Sequence, residues 1–459
     1  MSELERVATH DLGDGVEILR YEQEVRGVTV LDAEAVVTDS AEAPPELIAD
    51  TSADVAAPPE PLVGPRSAAR AAAQAAGVKR IIGEPRTELV VDPAGDRLRW
   101  QVTVSSAKPA GAFEVLVNAR TRAVSDVMEV TREVSGRAKV FDPNPVVTNG
   151  GVGDLEDAGD ADSSDLTSLR EPVTLQNMKA GQKCLVGTWV RATNRSSDVC
   201  RTRRDFSSLT RGPDGFEAVM AYYYVDATQR YIQSLDFTAG INERRQRVRV
   251  NQFADDNSYY DPGNREIRMG TGGVDDGEDA EVIVHEYGHA VQDAQAPGFG
   301  DTLGGGAVGE GFGDYMAAAM STQSTGGSMG FSDVCIFDWD AVSYTSSGCG
   351  RTIATRAGLD DLSSSCRSSV HCRGQVWSSG LWRLRATLGT DSDSRSVVDR
   401  VVLSSNFMLD SNDVETDAAR KLIEADELLY PTGQTDDDGS VRGQHEQEIR
   451  DEMESRDFL

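Results

Sequence analysis

The stretch EVIVHEYGHAVQDAQ, Glu281–Gln295, decides how this chain is read. Its apolar residues Ile283, Tyr287, Ala290 and Ala294 recur at near-helical spacing, which predicts a helix with one face turned inward. His285 and His289 stand four residues apart, so both project from one face, about one turn apart along the axis. Two imidazoles placed in this way can bind one tetrahedral zinc ion. Glu286 follows the first of them, rotated enough to stay off the metal yet able to reach water beside it. The competing reading, two histidines hydrogen-bonded on an ordinary helix face, needs nothing from elsewhere in the chain. The zinc reading needs a third ligand.

One is at hand in GEGFGDYMAAAM, Gly309–Met320, a second helical segment that sets Glu310 and Asp314 one turn apart. Glu310 completes a set of two histidines and one glutamate, leaving a fourth position for water. Asp314 is then placed to accept the free N–H of a ligand imidazole and fix its tautomer. The chemistry this implies is hydrolysis. Zinc lowers the pKa of water toward about 7, and Glu286 takes the proton as the water attacks a peptide carbonyl, then passes it to the leaving amine. The oxyanion needs donors beyond the metal. His371, in VHCRGQVWSSGLW, is the candidate donor; His10 and His445 sit in terminal polar contexts and read as incidental.

The chain has 459 residues, room for two or three domains. Its formal charge of −31 argues against a nucleic-acid partner, because a phosphate backbone is repelled over most of such a surface. No window approaches a membrane-spanning run of apolar residues, so no membrane role is expected. The six cysteines, Cys184, Cys200, Cys335, Cys349, Cys366 and Cys372, fall into three sequence-near pairs, none of them C-x-x-C. That pattern reads as disulfides in an oxidising compartment rather than a cysteine zinc site. Proximity favours joining Cys184 to Cys200, Cys335 to Cys349 and Cys366 to Cys372. Met1 to His10 lacks the basic start and apolar stretch of a secretory signal, so export is expected from the cysteines alone.

The first third reads as strand-rich. Val16 to Thr38 is broken at Gly27 and suggests a hairpin; Ala41 to Pro65 has loop composition. Ser67 to Ala76 predicts an alanine-rich helix capped by Ser67 and closed by Gly77. Glu88–Val91, Arg97–Val104 and Phe113–Asn118 read as strands, so the front is a small α+β unit ending near Glu133. Asn149 to Asp165 reads as a flexible acidic loop in preference to a calcium site, and Ala218 to Leu235 as a helix with a core face. The charged tail beyond Pro431 reads as peripheral.

These residues resemble the thermolysin-like clan of zinc peptidases, and fungalysin most of all. HEYGHA and the following GGAVGEGFGDYMAA are similar to the fungalysin zinc-site segments. AYYYVDATQRYIQSLDF resembles the helix that opens the family's catalytic domain, VHCRGQVWSSGLWRLRATLG its histidine-bearing segment, and NFMLDSNDVETDAARKLIEAD its closing helix pair. The resemblance implies His371 as oxyanion donor, and Asn257, in DDNSYY, as the residue that holds substrate backbone at an edge strand. A tyrosine that thermolysin places nine residues before the glutamate ligand is matched here by Asp301, so no second oxyanion donor is assigned. YEQEVRGVTVLDAEAVVTD, LRWQVTV and AFEVLVNARTRAV resemble the family's propeptide, and GRAKVFDPNPVVT its junction.

The fold class implied is α+β: a strand-rich α+β propeptide, then a two-lobed thermolysin-like catalytic domain with a mostly helical C-terminal lobe. The divisions are 1–135 for the propeptide, 136–205 for the junction and strand-rich start of the catalytic domain, and 206–459 for its core and tail. The resemblance implies a secreted, monomeric zymogen with one zinc, acting on proteins or peptides and inhibited by its own propeptide. Calcium at Glu281, Asp275, Asp276, Glu278 and Asp279 is weighed against a solvated acidic loop. Two alternatives remain. A zinc aminopeptidase needs an anchor for the substrate amine of the G-x-M-E-N type, which this chain does not show. A catalytically silent homologue would be expected to lack Glu286 or a ligand.

Overall fold

The computed structural model describes residues 2–459 except 12–15, 41–43, 57–58, 94–96, 109, 130–132, 154, 213–214, 325–334, 347, 393–394 and 436–440. The chain divides into two compact units, residues 1–132 with 179–181, and residues 133–178 with 182–459.

The first unit is a twisted sheet with one helix. Its strands are β1 (Ser2–Asp11), β2 (Val16–Val25), β3 (Val28–Ser40), β4 (Glu46–Asp50), β5 (Arg80–Ile81), β6 (Arg86–Asp92), β7 (Arg97–Lys108), β8 (Ala110–Asn118) and β9 (Val124–Glu129). The order is β1-β2-β3-β6-β7-β8-β9, with β4 beside β3 and β5 beside β7. The expected hairpin is β2–β3, turned by Arg26 and Gly27, both at positive φ, as a two-residue turn matched to strand twist requires. Helix α1 (Pro65–Ala75) starts earlier than Ser67. Pro65 occupies the first helical position, where its fixed φ suits the turn, and Gly64 caps it without a side-chain bond. Its alanines Ala68 and Ala72 pack on Val102, Val104, Val115 and Val117 of β7 and β8. Strands β6, β7 and β8 run longer than expected, because pairing carries the β7–β8 ladder out to Ala107 and Ala110.

The second unit is mixed α+β. In chain order it contains β10 (Glu133–Val140), α2 (Pro145–Asn149), α3 (Ser164–Ser168), β11 (Glu171–Lys179), β12 (Val190–Asn194), β13 (Ser197–Asp198), α4 (Phe216–Ser234), β14 (Gln246–Val250), β15 (Ser258–Asp261) and β16 (Glu266–Met269). Then follow α5 (Ala280–Gln295), α6 (Leu303–Ser324), β17 (Cys335–Ile336), β18 (Arg351–Thr352), α7 (Ser364–Arg367), α8 (Val370–Leu388), α9 (Val397–Asn406), α10 (Glu415–Leu429), β19 (Pro431–Thr435), β20 (Val441–Gly443) and α11 (Glu446–Glu454). One sheet has the order β13-β12-β14-β16-β15, parallel from β12 to β16, with β15 antiparallel at its edge. Helix α4 is buried on nearly every side, and Phe216, Val219, Tyr222 and Val225 belong to one large core with α5, α6 and α8.

Two expectations are corrected. The tail beyond Pro431 is not peripheral: Ile449, Met453 and Phe458 are at most 1 % exposed, and Phe458 meets Trp377 edge-on. Ile449 and Met453, four apart, make a narrow inward stripe within a charged helix, and Phe458 follows just beyond its end. The 149–165 segment is anchored rather than simply solvated. Arg211, 1 % exposed, pairs with the Asp157 carboxylate and donates to the carbonyls of Asp157 and Ala161, both at 3.1 Å. The same guanidinium meets both Glu278 oxygens, at 2.8 and 2.7 Å.

Glu217, in the first turn of α4, is wholly buried; its carboxylate accepts the Gly215 N–H at 3.0 Å, and its Oε1 has no donor among the described residues. Burial pushes its pKa up to about 8. The folded chain therefore holds this proton more tightly than the unfolded chain does. The resulting stability is complete below the unfolded carboxyl range, near pH 4, and is lost as pH rises through about 8. Glu217→Gln is expected to flatten the loss of thermal stability on the alkaline side, which melting curves across pH will read.

Candidate metal centre

Helix α5 is started by Asp279, whose carboxylate accepts the Glu281 N–H at 2.9 Å and the N–H groups of Trp339 and Asp340 at 3.0 and 3.2 Å. Ile283, Tyr287 and Ala290 are fully buried, so the helix is locked by its apolar face and presents His285 and His289 together. Helix α6 lies against it where glycine permits: a Cβ on Gly313 would sit 2.6 Å from His285 Nδ1. Helix α8 approaches α6 in the same manner, a Cβ on Gly374 falling 2.8 Å from the Glu310 Cβ. These two close approaches bring three helices' side chains to one point. Gly313→Ala is accordingly expected to displace the His285 ring, weaken metal binding and lower stability by about 1–3 kcal/mol; a metal titration and a melt on the same variant check it.

The donor atoms converge. His285 Nε2 and His289 Nε2 are 3.2 Å apart, and they lie 3.5 and 3.6 Å from Glu310 Oε2 and Oε1. Tetrahedral ligation at about 2.0–2.2 Å spaces neighbouring donors about 3.3–3.6 Å apart, so the three fit a zinc ion by spacing and by donor chemistry. Asp314, fully buried, holds Oδ1 3.0 Å from His285 Nδ1, on the side of the ring away from the ligand cluster. His371 Nε2 lies 3.1 Å from Glu310 Oε2, with its side chain half exposed.

The electrostatics match this crowding. Burial pushes Glu286 up to about 7, partly opposed by the charge of His285. Its Oε2 is buried without a hydrogen-bond donor among the described residues. Burial works to lower His285, yet Asp314 and Glu310 raise it to about 10. Burial and the neighbouring His285 lower His289 to about 4. Burial would raise Glu310, but the bonds from His285 and His371 and the imidazole charges hold it well below the usual carboxylate range.

All of these side chains except Asp314 line one cavity of about 720 Å³. Asn257 is on its exposed rim, immediately before β15, and Tyr260 of that edge strand faces in. The structure thus brings His285, Glu286, His289, Glu310, His371 and Asn257 to one cavity, with Asp314 behind it. Asp301 is exposed and does not line it.

Arg351 was not found from the sequence. It reaches Asp314 Oδ1 at 2.7 Å and Glu310 Oε2 at 3.2 Å and lies over the Phe337 ring. It stands on β18, paired with β17, just after the Cys335–Cys349 disulfide. Only the pairing of those two cysteines hinted that Arg351 returns toward α6. The other disulfides, Cys184–Cys200 and Cys366–Cys372, also join sequence neighbours as expected. The acids weighed for calcium do not form one ring. Glu278 pairs with Arg211, Asp279 and Glu281 accept backbone N–H groups, and Asp276 turns toward the cavity.

Residues 192–400 match the family model of the fungalysin metallopeptidases. The chain is fungalysin-like. No curated protein matches it. The matched stretch of this fungalysin-like metallopeptidase contains every residue of the cavity discussed above, together with Asp314. The family's peptidases are zinc-dependent, in keeping with the donor set. Among the described residues, no helix of the fungalysin-like chain is long and apolar enough to cross a membrane.

Proposed function

We propose that the chain is a secreted zinc endopeptidase made as a zymogen. The observation that carries this reading is the tetrahedral spacing of His285, His289 and Glu310 beside a buried Glu286, one oxygen of which meets no donor among the described residues. Zinc, when bound by these three, supplies a Lewis acid for water and carbonyl. Glu286 takes a proton from the attacking water and returns it to the leaving amine. Asp314 holds the His285 ring with Nε2 turned to the metal. His371 donates to the oxyanion. Asn257 and the free edge of β15 hold the substrate as an added strand.

Residues 1–135 act as a propeptide that assists folding, inhibits and is cut away near Gly136; the remainder forms a two-lobed catalytic domain, active as a monomer. Three disulfides support export. Calcium remains a second cation for the acids before α5, with no single ring of ligands to favour it. Neither an aminopeptidase nor a silent homologue gains a specific observation.

The test follows the full chain after zinc loading, by metal analysis, casein cleavage and N-terminal sequencing of the products. One zinc per chain is expected, with casein cleavage growing as the chain is cut near residue 136. A chain that takes up no zinc in any form overturns the reading.

A further inference from the structure

Beside the metal centre, the same cavity holds a second set of groups that hydrolysis does not use. Asp256, Asp276 and Asp340 each bring a carboxylate oxygen within 4.8 Å of the others'. They come from three segments: the approach to the edge strand, the approach to α5, and the turn after Trp339. Asp276 is 2 % and Asp340 9 % exposed, while Asp256 stands open to solvent. Their protein donors are hydroxyls. Ser258 donates to Asp276, Tyr344 to Asp340 at 2.9 Å, and Ser343 to Asp256. Asp276 Oδ1 and Asp340 Oδ1 remain buried without a hydrogen-bond partner among the described residues.

Three carboxylates so close demand positive charge or protons. Arg351 acts on Asp340, but it is already held by Glu310 and Asp314. Burial, with repulsion from Asp340 and Asp256, pushes Asp276 up to about 8; burial, with repulsion from Asp279 and Asp256, pushes Asp340 to about 7. Two buried acceptor oxygens without a donor among the described residues, on side chains that line the cavity, suit a group that brings both charge and N–H donors. A calcium ion asks for six to eight oxygens, and here one oxygen each of Asp276 and Asp340 is already taken by a hydroxyl.

The position supplies the source of that group. Ser258, which holds Asp276, is the first residue of β15, the edge strand on the cavity wall. A peptide laid along such an edge alternates its side chains between the two faces, so one of them points toward this cluster. We propose that Asp256, Asp276 and Asp340 form a subsite for the cationic side chain of a substrate arginine or lysine close to the bond to be cut. The subsite rests on the peptidase reading, and it makes basic residues the specificity determinant of that site.

The experiment uses zinc-loaded Glu286→Gln protein cut near residue 136 in trans by a trace of the wild-type chain, so that the front no longer inhibits and substrate binds with little turnover. Calorimetry compares peptides carrying arginine or its neutral isostere citrulline, with that residue moved along the sequence. At one position arginine is expected to bind about ten- to a hundredfold more tightly. Asp276→Asn and Asp340→Asn, each added to Glu286→Gln, bring that ratio close to one with melting curves unchanged. Equal binding of the two peptides at every position, no binding of either, or a preference that survives both substitutions overturns the subsite. So does saturable calcium uptake that Asp276→Asn abolishes, which makes the cluster a metal site. A protein that discriminates arginine from citrulline but cuts no casein in its native form keeps the subsite and loses the peptidase reading.

Discussion

Glu286→Gln is expected to reduce peptide hydrolysis by about 10²- to 10⁴-fold while leaving zinc bound. The substitution keeps the size and the hydrogen-bonding shape of the side chain and removes only its ability to take a proton. Glu286 is not one of the three converging ligands, so metal affinity has no reason to fall. The measurement is kcat/KM on a peptide beside metal content on the same preparation. His289→Ala separates the two effects, because it should lose metal and activity together. A Glu286→Gln protein that retains most of its activity would place the proton acceptor elsewhere in the cavity. His371→Ala should be milder, since one oxyanion donor is lost and the base remains.

Arg211→Met is the substitution expected to cost most in stability, about 3–5 kcal/mol. Glu278 is fully buried, and its charge is met by the guanidinium at 2.8 and 2.7 Å and by the Trp339 indole N–H at 3.0 Å. Removing the cation strands that carboxylate in the core, seven residues before His285. The same change releases the 157–161 segment, whose carbonyls lose their donor. Against a total of roughly 5–15 kcal/mol for a folded protein, such a loss is large. Chemical denaturation followed by fluorescence will read it. The double variant Arg211→Met, Glu278→Leu should recover part of the loss, because an apolar pair of similar volume avoids the uncompensated charge. No recovery would mean that Arg211 acts chiefly through the 157–161 segment.

The convergence of His285, His289 and Glu310 was legible because its geometry is local. An i, i+4 pair on a helix needs no knowledge of the rest of the fold, and Glu310 with Asp314 repeats the device. The α5 segment also announced its own burial through Ile283 and Tyr287. Arg351 was hidden because its place depends on a two-stranded pairing and a disulfide, neither of which leaves a periodic trace. The carboxylates of Asp256, Asp276 and Asp340 were hidden for a related reason: three segments meet, and each alone reads as an ordinary acidic turn. The tail misled because Ile449 and Met453 are a sparse stripe among acids, and only packing against α8 and α10 shows that two apolar residues suffice. At α1 the serine looked like the cap, yet Pro65 began the helix first.

Two of the disulfides sit beside residues that line the cavity, outside the stretches of α5 and α6 that carry the three converging donors. Cys349 is two residues from Arg351, and Cys372 is next to His371, whereas His285, His289 and Glu310 are carried by α5 and α6 alone. On the peptidase reading, reduction would leave the α5 and α6 donors in place and loosen the segments that carry Arg351 and His371. If the peptidase reading holds, such a chain would take up metal inside a reducing cell and yet be slow to cut. On that reading the redox state of the surroundings would bear on where digestion begins.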